Sequence, residues 1–152
     1  MNVNDYILPN HVENLVVMTE NGLRVLANDG NNIFIGNRGD DQLFGGWGSD
    51  IVLGGEGHDL LVGGAGADAL FGGSGDDVFA WEGSHFGDLD RILDWNAGDR
   101  IDVRGAGGRF ATAQNGANVD VFHDADGNGV PDALVVTVVG VAADQLSGAI
   151  IS

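Results

Sequence analysis

The chain has no cysteine and no lysine, and both absences exclude classes of protein. Without cysteine it can form neither a disulfide framework nor a thiolate zinc site. Its basic residues are six arginines against 23 acidic residues, and the formal net charge is −17. We therefore expect no nucleic-acid partner, because phosphate binding needs clustered Lys and Arg. Residues 1–10 lack the pattern of a cleavable signal peptide and no apolar run reaches transmembrane length, so no membrane insertion is expected.

Glycine and aspartate are present in excess instead. The 152 residues include 27 glycines, more than twice the average share, and 19 of the 23 acidic residues are aspartate. Aspartate carries the short carboxylate that suits oxygen sites for hard cations such as calcium. Hydrophobic residues still make up 43% of the chain, which is enough for one folded domain with a modest core. The composition therefore favours a folded protein that binds cations.

A nine-residue period runs from Ala27 to Ala80 in six consecutive units. Four units open with paired glycines, and Asn37 replaces the second glycine of the unit that begins at Gly36. The sixth position is Asn32 in the first unit and an aspartate in the others, namely Asp41, Asp50, Asp59, Asp68 and Asp77. The eighth position is always apolar and comprises Phe34, Leu43, Val52, Leu61, Leu70 and Phe79. A flexible glycine-rich linker, the alternative, has no reason to keep an apolar residue at every ninth position.

Each unit is predicted to form a six-residue turn followed by a three-residue strand. Glycine permits the positive φ angles of such a turn, and strand alternation directs the eighth side chain into the core and the seventh and ninth outward. Two successive units then make one coil of eighteen residues in a stacked parallel β-solenoid. Aspartates eighteen residues apart become neighbours along the stack. Because stacked carboxylates repel one another, the pattern predicts a divalent cation between them.

The repeats resemble the RTX family, the hemolysin-type calcium-binding nonapeptide repeat. The resemblance implies an all-β fold: a right-handed parallel β-roll of stacked half-turns, closed by an antiparallel β C-terminal cap. It divides the chain into flanking strands or a connector (1–26), the calcium-binding β-roll (27–80) and a C-terminal β cap with a secretion signal (81–152). The implied function is that of a bacterial module which folds on calcium after type I secretion and assists export of a larger extracellular or cell-surface protein.

The resemblance also implies a ligand set for about four calcium ions, each held by carbonyls and aspartates of two units eighteen residues apart. The first site takes Gly46, Gly48, Asp50, Gly63, Ala65 and Asp68. The second takes Asn37, Gly39, Asp41, Gly54, Glu56 and Asp59, and the third takes Gly55, Gly57, Asp59, Gly72, Ser74 and Asp77. A weaker fourth site would draw on Asn28, Gly30, Asn32, Gly45, Trp47 and Asp50, because Asn32 supplies only a neutral oxygen.

Residues 88–103 resemble the segment that follows the repeats in serralysin-type proteases and alginate epimerases, and Trp81, Phe86 and Trp95 are predicted core aromatics of the cap. Three aspartates of this segment have two interpretations. Asp88, Asp90 and Asp94 either complete the half-filled sites left at Asp68 and Asp77 or lie on the solvated surface. Residues 142–152 resemble the C-terminal signal of type I secretion substrates, and a final strand is the alternative.

Two strands are predicted at residues 119–122 and 134–139, joined by an acidic loop. The loop matches part of an EF-hand pattern through Asp124, Asp126 and Asn128, and Asp132 adds a further carboxylate. However, Val135 stands where an EF-hand has its bidentate Glu. The loop is therefore either a hairpin turn built from Asx and Gly chemistry or an additional, weaker ion site.

No catalytic motif is found, so we expect a non-catalytic module. The carboxylates are periodic and hence structural, and the four histidines lack metal-ligand spacing: His11, His58, His85 and His123. Apolar residues at the seventh and ninth positions, such as Ile33 and Ile51, need cover by the N-terminal strands and the cap, by a neighbouring domain, or by self-association. Two other functions stay open: a carbohydrate-binding accessory module, which six scattered arginines disfavour, and a surface-layer or adhesin segment that associates in calcium.

Overall fold

The computed structural model describes residues 5–18, 20–81, 88–104 and 106–152. Among these residues nearly all regular structure is β-strand, with one short 3-10 helix at Ala143–Leu146. No helix in the described ranges is long and apolar enough to cross a membrane. Two residues singled out by the sequence, His85 and Phe86, lie outside the described residues.

The strands form two sheets. Sheet A contains β1 (Asp5–Ile7), β3 (Arg24–Leu26), β5 (Gln42–Trp47), β7 (Leu60–Ala65), β9 (Val78–Ala80), β11 (Arg100–Asp102) and β15 (Ile150–Ile151). Sheet B contains β2 (Asn14–Val16), β4 (Ile33–Ile35), β6 (Ile51–Glu56), β8 (Ala69–Ser74), β10 (Arg91–Ile92), β12 (Arg109–Asn115), β13 (Asn118–Asp124) and β14 (Ala133–Val138). Consecutive strands from β1 to β11 alternate between the sheets, so the chain winds as a parallel β-solenoid of about five turns. This confirms the predicted fold class.

The eighth position of each unit builds the core. In sheet A, Leu43 pairs with Leu61 and Leu61 with Phe79, and in sheet B Phe34 pairs with Val52 and Val52 with Leu70. All six side chains are fully buried. Each coil adds its apolar side chains to this stack between the two sheets, and their burial stabilises the solenoid. The same burial fixes the register in which the coils lie above one another.

The central strands are longer than predicted and the turns shorter. Each of β5 to β8 spans six residues, running from the seventh position of one unit through the third position of the next. The expected six-residue turn with a three-residue strand is therefore wrong in this part of the solenoid. The reason is that glycines with positive φ, such as Gly46 at 90° and Gly55 at 119°, still pair with Gly64 and Gly73 of the adjacent coil.

The described N-terminal strands extend the solenoid. β1 pairs in parallel with β3, and β2 pairs with β4. Leu8, Val17 and Val25 bury their side chains in this part. Ile33 and Ile51 stay 40% and 38% exposed among the described residues, so the cover expected for these side chains stays a prediction.

One further coil, the cap coil (residues 88–104), follows the repeats. Its strands β10 and β11 pair with β8 and β9 at an offset of 22 residues, as in Arg91↔Ala69 and Arg100↔Val78. Beyond it, β12, β13 and β14 form an antiparallel meander, and β14 pairs in parallel with β10. The antiparallel C-terminal cap and the strands at 119–122 and 134–139 are thus confirmed. The final strand, β15, pairs with β11.

Candidate metal centre

The aspartates of the repeat form two ladders of hydrogen bonds along the solenoid. The Oδ1 atom of each one accepts the backbone N–H of the residue eighteen positions earlier. The pairs are Leu23 to Asp41 at 2.7 Å, Asn32 to Asp50 at 2.7 Å, Asp41 to Asp59 at 2.8 Å, Asp50 to Asp68 at 2.7 Å and Asp59 to Asp77 at 2.9 Å. One carboxylate oxygen per aspartate therefore holds two coils together.

The second carboxylate oxygen, Oδ2, has no such partner. Within the described residues, Oδ2 is buried and without a hydrogen bond in Asp41, Asp50, Asp59, Asp68 and Asp77. Burial raises the pKa of Asp50 and Asp59 to about 6 and that of Asp68 to about 7, against the lowering effect of the backbone hydrogen bond each accepts. A buried oxygen without a partner costs free energy, so these five atoms call for a ligand that supplies positive charge.

Glycine at the first position of the five units from Gly36 onward leaves space beside these oxygens. A Cβ built on Gly45 would clash with Asp50 Oδ2 and with the carbonyl oxygen of Gly63 in the next coil. The same convergence recurs at Gly36, between Asp41 Oδ2 and Gly54 O, and at Gly54, between Asp59 Oδ2 and Gly72 O. Each of these small spaces is thus lined by a carboxylate and a carbonyl from adjacent coils. A donor set made only of oxygen suits Ca²⁺, so the residues present fit this ion.

The structure brings together one carboxylate and carbonyl pair from each of the three main predicted sites. These pairs are Asp50 with Gly63, Asp41 with Gly54, and Asp59 with Gly72. Carbonyls of the second and fourth positions also face the next coil, because a Cβ on Gly64 would clash with Gly46 O and one on Gly66 with Gly48 O. In the second and third sites, Asn37, Gly39, Gly55 and Gly57 direct their carbonyls in the same way.

The carbonyls of the third position are already hydrogen-bonded between coils. Those of Glu56, Ala65 and Ser74 each accept a backbone N–H at 2.9 Å, from Gly39, Gly48 and Gly57 respectively. A carbonyl oxygen has two lone pairs, so this bond leaves one free for a cation. The full six-oxygen sets stay predictions.

At the N-terminal end of the stack, Asn32 is buried but has no unpartnered oxygen. Its Nδ2 donates to Val12 O at 3.2 Å, and its Oδ1 accepts the N–H of Asn28 at 3.3 Å. The carbonyl oxygen of Gly30 faces Gly48 of the next coil. The Trp47 side chain is exposed, so Trp47 could contribute only its backbone carbonyl to this site. A neutral amide that is already hydrogen-bonded agrees with a weaker fourth site, which stays a prediction.

The cap coil continues both aspartate ladders. Asp90 Oδ1 accepts the N–H of Asp68 at 2.9 Å, and Asp99 Oδ1 accepts that of Asp77 at 3.0 Å. Asp90 is buried, so the interpretation that it lies on the solvated surface is wrong. Asp99 was not among the predicted ligands. The signal that would have identified it is its distance of nine positions from Asp90, which keeps the ladder period across the break in the repeats.

Two more cap aspartates bind turns of the last repeats. Asp88 Oδ2 accepts the N–H of Gly66 at 3.0 Å. The Asp94 carboxylate accepts the N–H groups of Gly72 and Gly73, each at 2.9 Å. Both side chains are half-buried at the junction between the last repeats and the cap coil.

The acidic loop between β13 and β14 is a hairpin connection. Oxygen atoms of Asp124, Asp126 and Asp132 lie within 4.8 Å of one another. The Asp124 carboxylate already accepts backbone N–H groups of Gly127 at 2.8 Å and Gly129 at 2.9 Å. Asn128 is hydrogen-bonded to Asp126 through its side chain at 2.8 Å. The hairpin is confirmed, and an ion in this loop stays a prediction.

In a comparison with known proteins, the family model of the RTX calcium-binding nonapeptide repeat matches residues 26–61 and 53–80. Residues 26–80 are therefore a repeat region of the RTX calcium-binding type. No curated protein matches the chain in sequence. Among solved structures, it is similar to the AlgE6R3 subunit of the Azotobacter vinelandii mannuronan C5-epimerase, determined in solution. The identity is 23%, covering 99% of this chain and 84% of that chain, with a TM-score of 0.43.

Proposed function

We propose that the chain is a non-catalytic module whose folding is switched on by calcium. The observation that carries the proposal is the stack of five buried carboxylates, each with an Oδ2 atom that has no hydrogen-bond partner among the described residues. Neighbouring strands of a sheet lie about 4.8 Å apart, so without cations these carboxylates repel one another in a poorly solvated environment. A bound Ca²⁺ converts that repulsion into attraction between coils.

Calcium binding and folding are then a single equilibrium. The spaces beside Gly45 and Gly54 exist only when two coils are stacked, because each is lined by oxygens of both. The unfolded chain has no such sites, so the free energy of ion binding becomes free energy of folding. Adjacent sites share aspartates in the predicted ligand sets, and binding is therefore cooperative.

A calcium-dependent fold suits export in an unfolded state. Where calcium is scarce, as inside a bacterial cell, the charge of −17 keeps the chain extended. We infer passage through a type I secretion machinery, then folding outside the cell, which stabilises an attached larger protein and assists its export. Deleting residues 142–152 should abolish secretion from a host that carries this machinery. Because the deletion also removes β15 and the buried Leu146, calcium-dependent folding of the truncated protein is measured in parallel. Undiminished secretion would contradict the assigned signal.

The decisive experiment on folding is far-UV circular dichroism during a calcium titration, with magnesium as the control. We expect a cooperative gain of β-structure with calcium alone, because magnesium demands tighter octahedral geometry and gives up its water reluctantly. Full β-structure in the presence of a chelator would overturn the proposal.

A second candidate function is calcium-dependent self-association. Ile33 and Ile51 are paired neighbours on the outer face of sheet B and are 40% and 38% exposed. Apolar neighbours on an exposed sheet face favour contact with another protein surface. Sedimentation with and without calcium tests this, using an Ile33→Ser/Ile51→Ser double variant as the control. A wild-type chain that stays monomeric in calcium would exclude it.

A further inference from the structure

We propose that the N-terminal end of the solenoid is an interface with a second copy of this chain. The contact joins the edge strand β1 of one copy to β1 of the other in antiparallel orientation, about a two-fold axis at Tyr6. The proposal goes beyond the calcium-dependent function, because it concerns assembly of the folded module. It also uses a different surface from the outer face of sheet B.

Both sheets finish in an edge strand at this end of the molecule. Within the described residues, β1 is the outermost strand of sheet A and β2 is that of sheet B. The N–H of Leu8 donates to Leu26 O at 2.8 Å, so Leu8 and Tyr6 direct their backbone groups towards β3. Because this direction alternates along a strand, Asp5 and Ile7 direct theirs away from the sheet. Such a row of outward N–H and C=O groups is a template for pairing with another strand.

The apolar core is open at this end as well. Tyr6 pairs with Val25, which pairs with Leu43, so Tyr6 occupies the core position of the first coil. Val25 and Leu43 are fully buried, whereas Tyr6 is 41% exposed and the adjacent Ile7 is 69% exposed. A core side chain exposed at the end of a stack favours the addition of another apolar layer.

The opposite end of the solenoid has edges of a different kind. There sheet B finishes in β12, whose exposed side chains include Arg109, Thr112 and Gln114. Sheet A finishes in β15, which has two residues, both partly buried. Of the nine exposed large apolar side chains in the part of the chain that the structure describes, four lie within residues 5–18. Polar or short edge strands resist pairing with other chains, so the N-terminal end is the one suited to association.

A second copy fits this edge because antiparallel pairing is reciprocal. When Tyr6 lies opposite its symmetry mate, Asp5 of each chain lies opposite Ile7 of the other. Both residues direct their backbone groups outward, so each of the two pairs exchanges both of its N–H···O=C bonds. A two-fold axis thus generates a closed contact from one surface of the chain.

The charge distribution favours this end for contact between two acidic chains. Residues 1–35 contain four of the 23 acidic residues and one of the six arginines. Asp5 is in addition ion-paired with Arg24 at 3.2 Å. The acid-rich repeats and cap therefore lie away from the interface, which limits repulsion between the copies. Added salt should strengthen the dimer, since it screens the like charge that remains.

The test is the oligomeric state of the full chain in calcium, measured by sedimentation velocity over a range of concentrations. The wild type should form a dimer as its concentration rises. Ile7→Asp should weaken the dimer about tenfold or more, because it removes apolar burial and places like charges opposite each other. The matched control is Leu89→Asp, which changes a side chain of similar exposure, 66%, in the cap coil. It should dimerise as the wild type does.

A single-cysteine variant tests the geometry independently, and it decides the question if circular dichroism in calcium shows that Ile7→Asp is unfolded. The natural chain has no cysteine, so Tyr6→Cys introduces one thiol at the proposed axis. A non-hydrogen-bonded antiparallel pair brings the two Cα atoms to about 4.5 Å, which is within the range of a disulfide. Oxidised glutathione in calcium should therefore cross-link this variant into a dimer, whereas Leu89→Cys should stay uncross-linked.

The outcomes separate this interface from the other proposals. A wild type that is monomeric in calcium would overturn it, as would equal cross-linking of Tyr6→Cys and Leu89→Cys. A dimer that persists in Ile7→Asp and is lost in Ile33→Ser/Ile51→Ser would also overturn it, and would assign association to the outer face of sheet B. Failure of the calcium-dependent function is recognised separately, by full β-structure of the wild type in chelator.

Discussion

The side chain at the ladder position has different hydrogen-bond partners in the interior of the solenoid and at its two ends. In the interior, each of the five ladder aspartates from Asp41 to Asp77 keeps one buried oxygen that has no hydrogen-bond partner in the part of the chain that the structure describes. At the N-terminal end the position is Asn32, whose amide donates to Val12 O. At the C-terminal end, Asp90 Oδ2 accepts the indole N–H of Trp81 at 2.8 Å, and Asp99 Oδ2 accepts the N–H of Asn96 at 2.7 Å.

This difference shows where the requirement for an ion lies. Terminal ladder positions are satisfied by protein hydrogen bonds and are compatible with a metal-free state, whereas interior positions carry unbalanced buried charge. The ends of a repeat array differ from its middle because there the neighbouring strands lie outside the repeats: β2 beside β4 at the N-terminal end, and β14 and β15 beside β10 and β11 at the C-terminal end. Here the difference is made by single polar contacts, and each of these can be changed by one substitution.

The largest effect is expected from filling an interior ion space. In Gly54→Ala, the new Cβ would clash with Asp59 Oδ2 and Gly72 O, so calcium is excluded and the coils are forced apart. We expect the calcium midpoint of folding, followed by circular dichroism, to rise about tenfold or more, or folding to be lost. The control Gly30→Ala lies in the first unit, where the nearest atom to a Cβ is Asn28 Oδ1 at 3.1 Å. Equal shifts of the calcium midpoint in both variants would contradict the inference that the space beside Gly54 holds an ion.

A second effect is expected from pH in calcium-free protein. Burial raises the pKa of Asp50 and Asp59 to about 6 and of Asp68 to about 7, so the folded state binds protons more tightly than the unfolded state. A raised folded pKa gives stability that is present at low pH and lost as the pH rises through these values. Protein stripped of calcium should therefore gain β-structure on going from about pH 8 to about pH 5.

The matched variant for this pH experiment is Asp68→Asn, which removes the interior group with the highest of the three values. Its gain of circular dichroism on acidification should be smaller than that of the wild type. A calcium-free wild type whose β-structure is constant or falls over this range would show that the interior carboxylates are not the destabilising groups.

A smaller effect is expected at the C-terminal end. Trp81→Phe removes the N–H that satisfies Asp90 Oδ2, and so makes this end resemble the interior. Leaving a buried carboxylate oxygen unsatisfied costs about 1–3 kcal/mol, which urea unfolding in calcium would detect. The control Trp95→Phe alters a half-buried ring that stacks on Phe79 at a centroid distance of 6.1 Å. A loss in Trp81→Phe no greater than that in the control would assign Trp81 a packing role only.

The sequence predicts the interior well because its information is periodic. One apolar residue and one aspartate at fixed offsets define the core stack, the two sheets and the ladder. The ends are predicted less well because they depend on contacts without a period, such as Trp81 with Asp90. The cap coil has an offset of 22 in place of 18, so the bond between Asp99 and Asp77 follows only from the strand register, although the spacing of nine residues from Asp90 is readable in the sequence. Strand length was also misjudged, because pairing between coils extends through glycines that usually signal a turn.

The smallest chemical change gives the N-terminal ladder position the aspartate that the interior positions have. Asn32→Asp removes the amide N–H donated to Val12 O and places a carboxylate oxygen against that carbonyl. Without calcium we expect a loss of about 1–3 kcal/mol in stability, from an unsatisfied buried group. With calcium the variant should recover and bind one more ion tightly than the wild type, since the weak site beside Asp50 gains a charged ligand. Urea unfolding in chelator and in calcium, together with ion stoichiometry, measures both effects. An unchanged stoichiometry would mean that the N-terminal coil lacks the geometry of the interior, and that the two regions differ by more than one side chain.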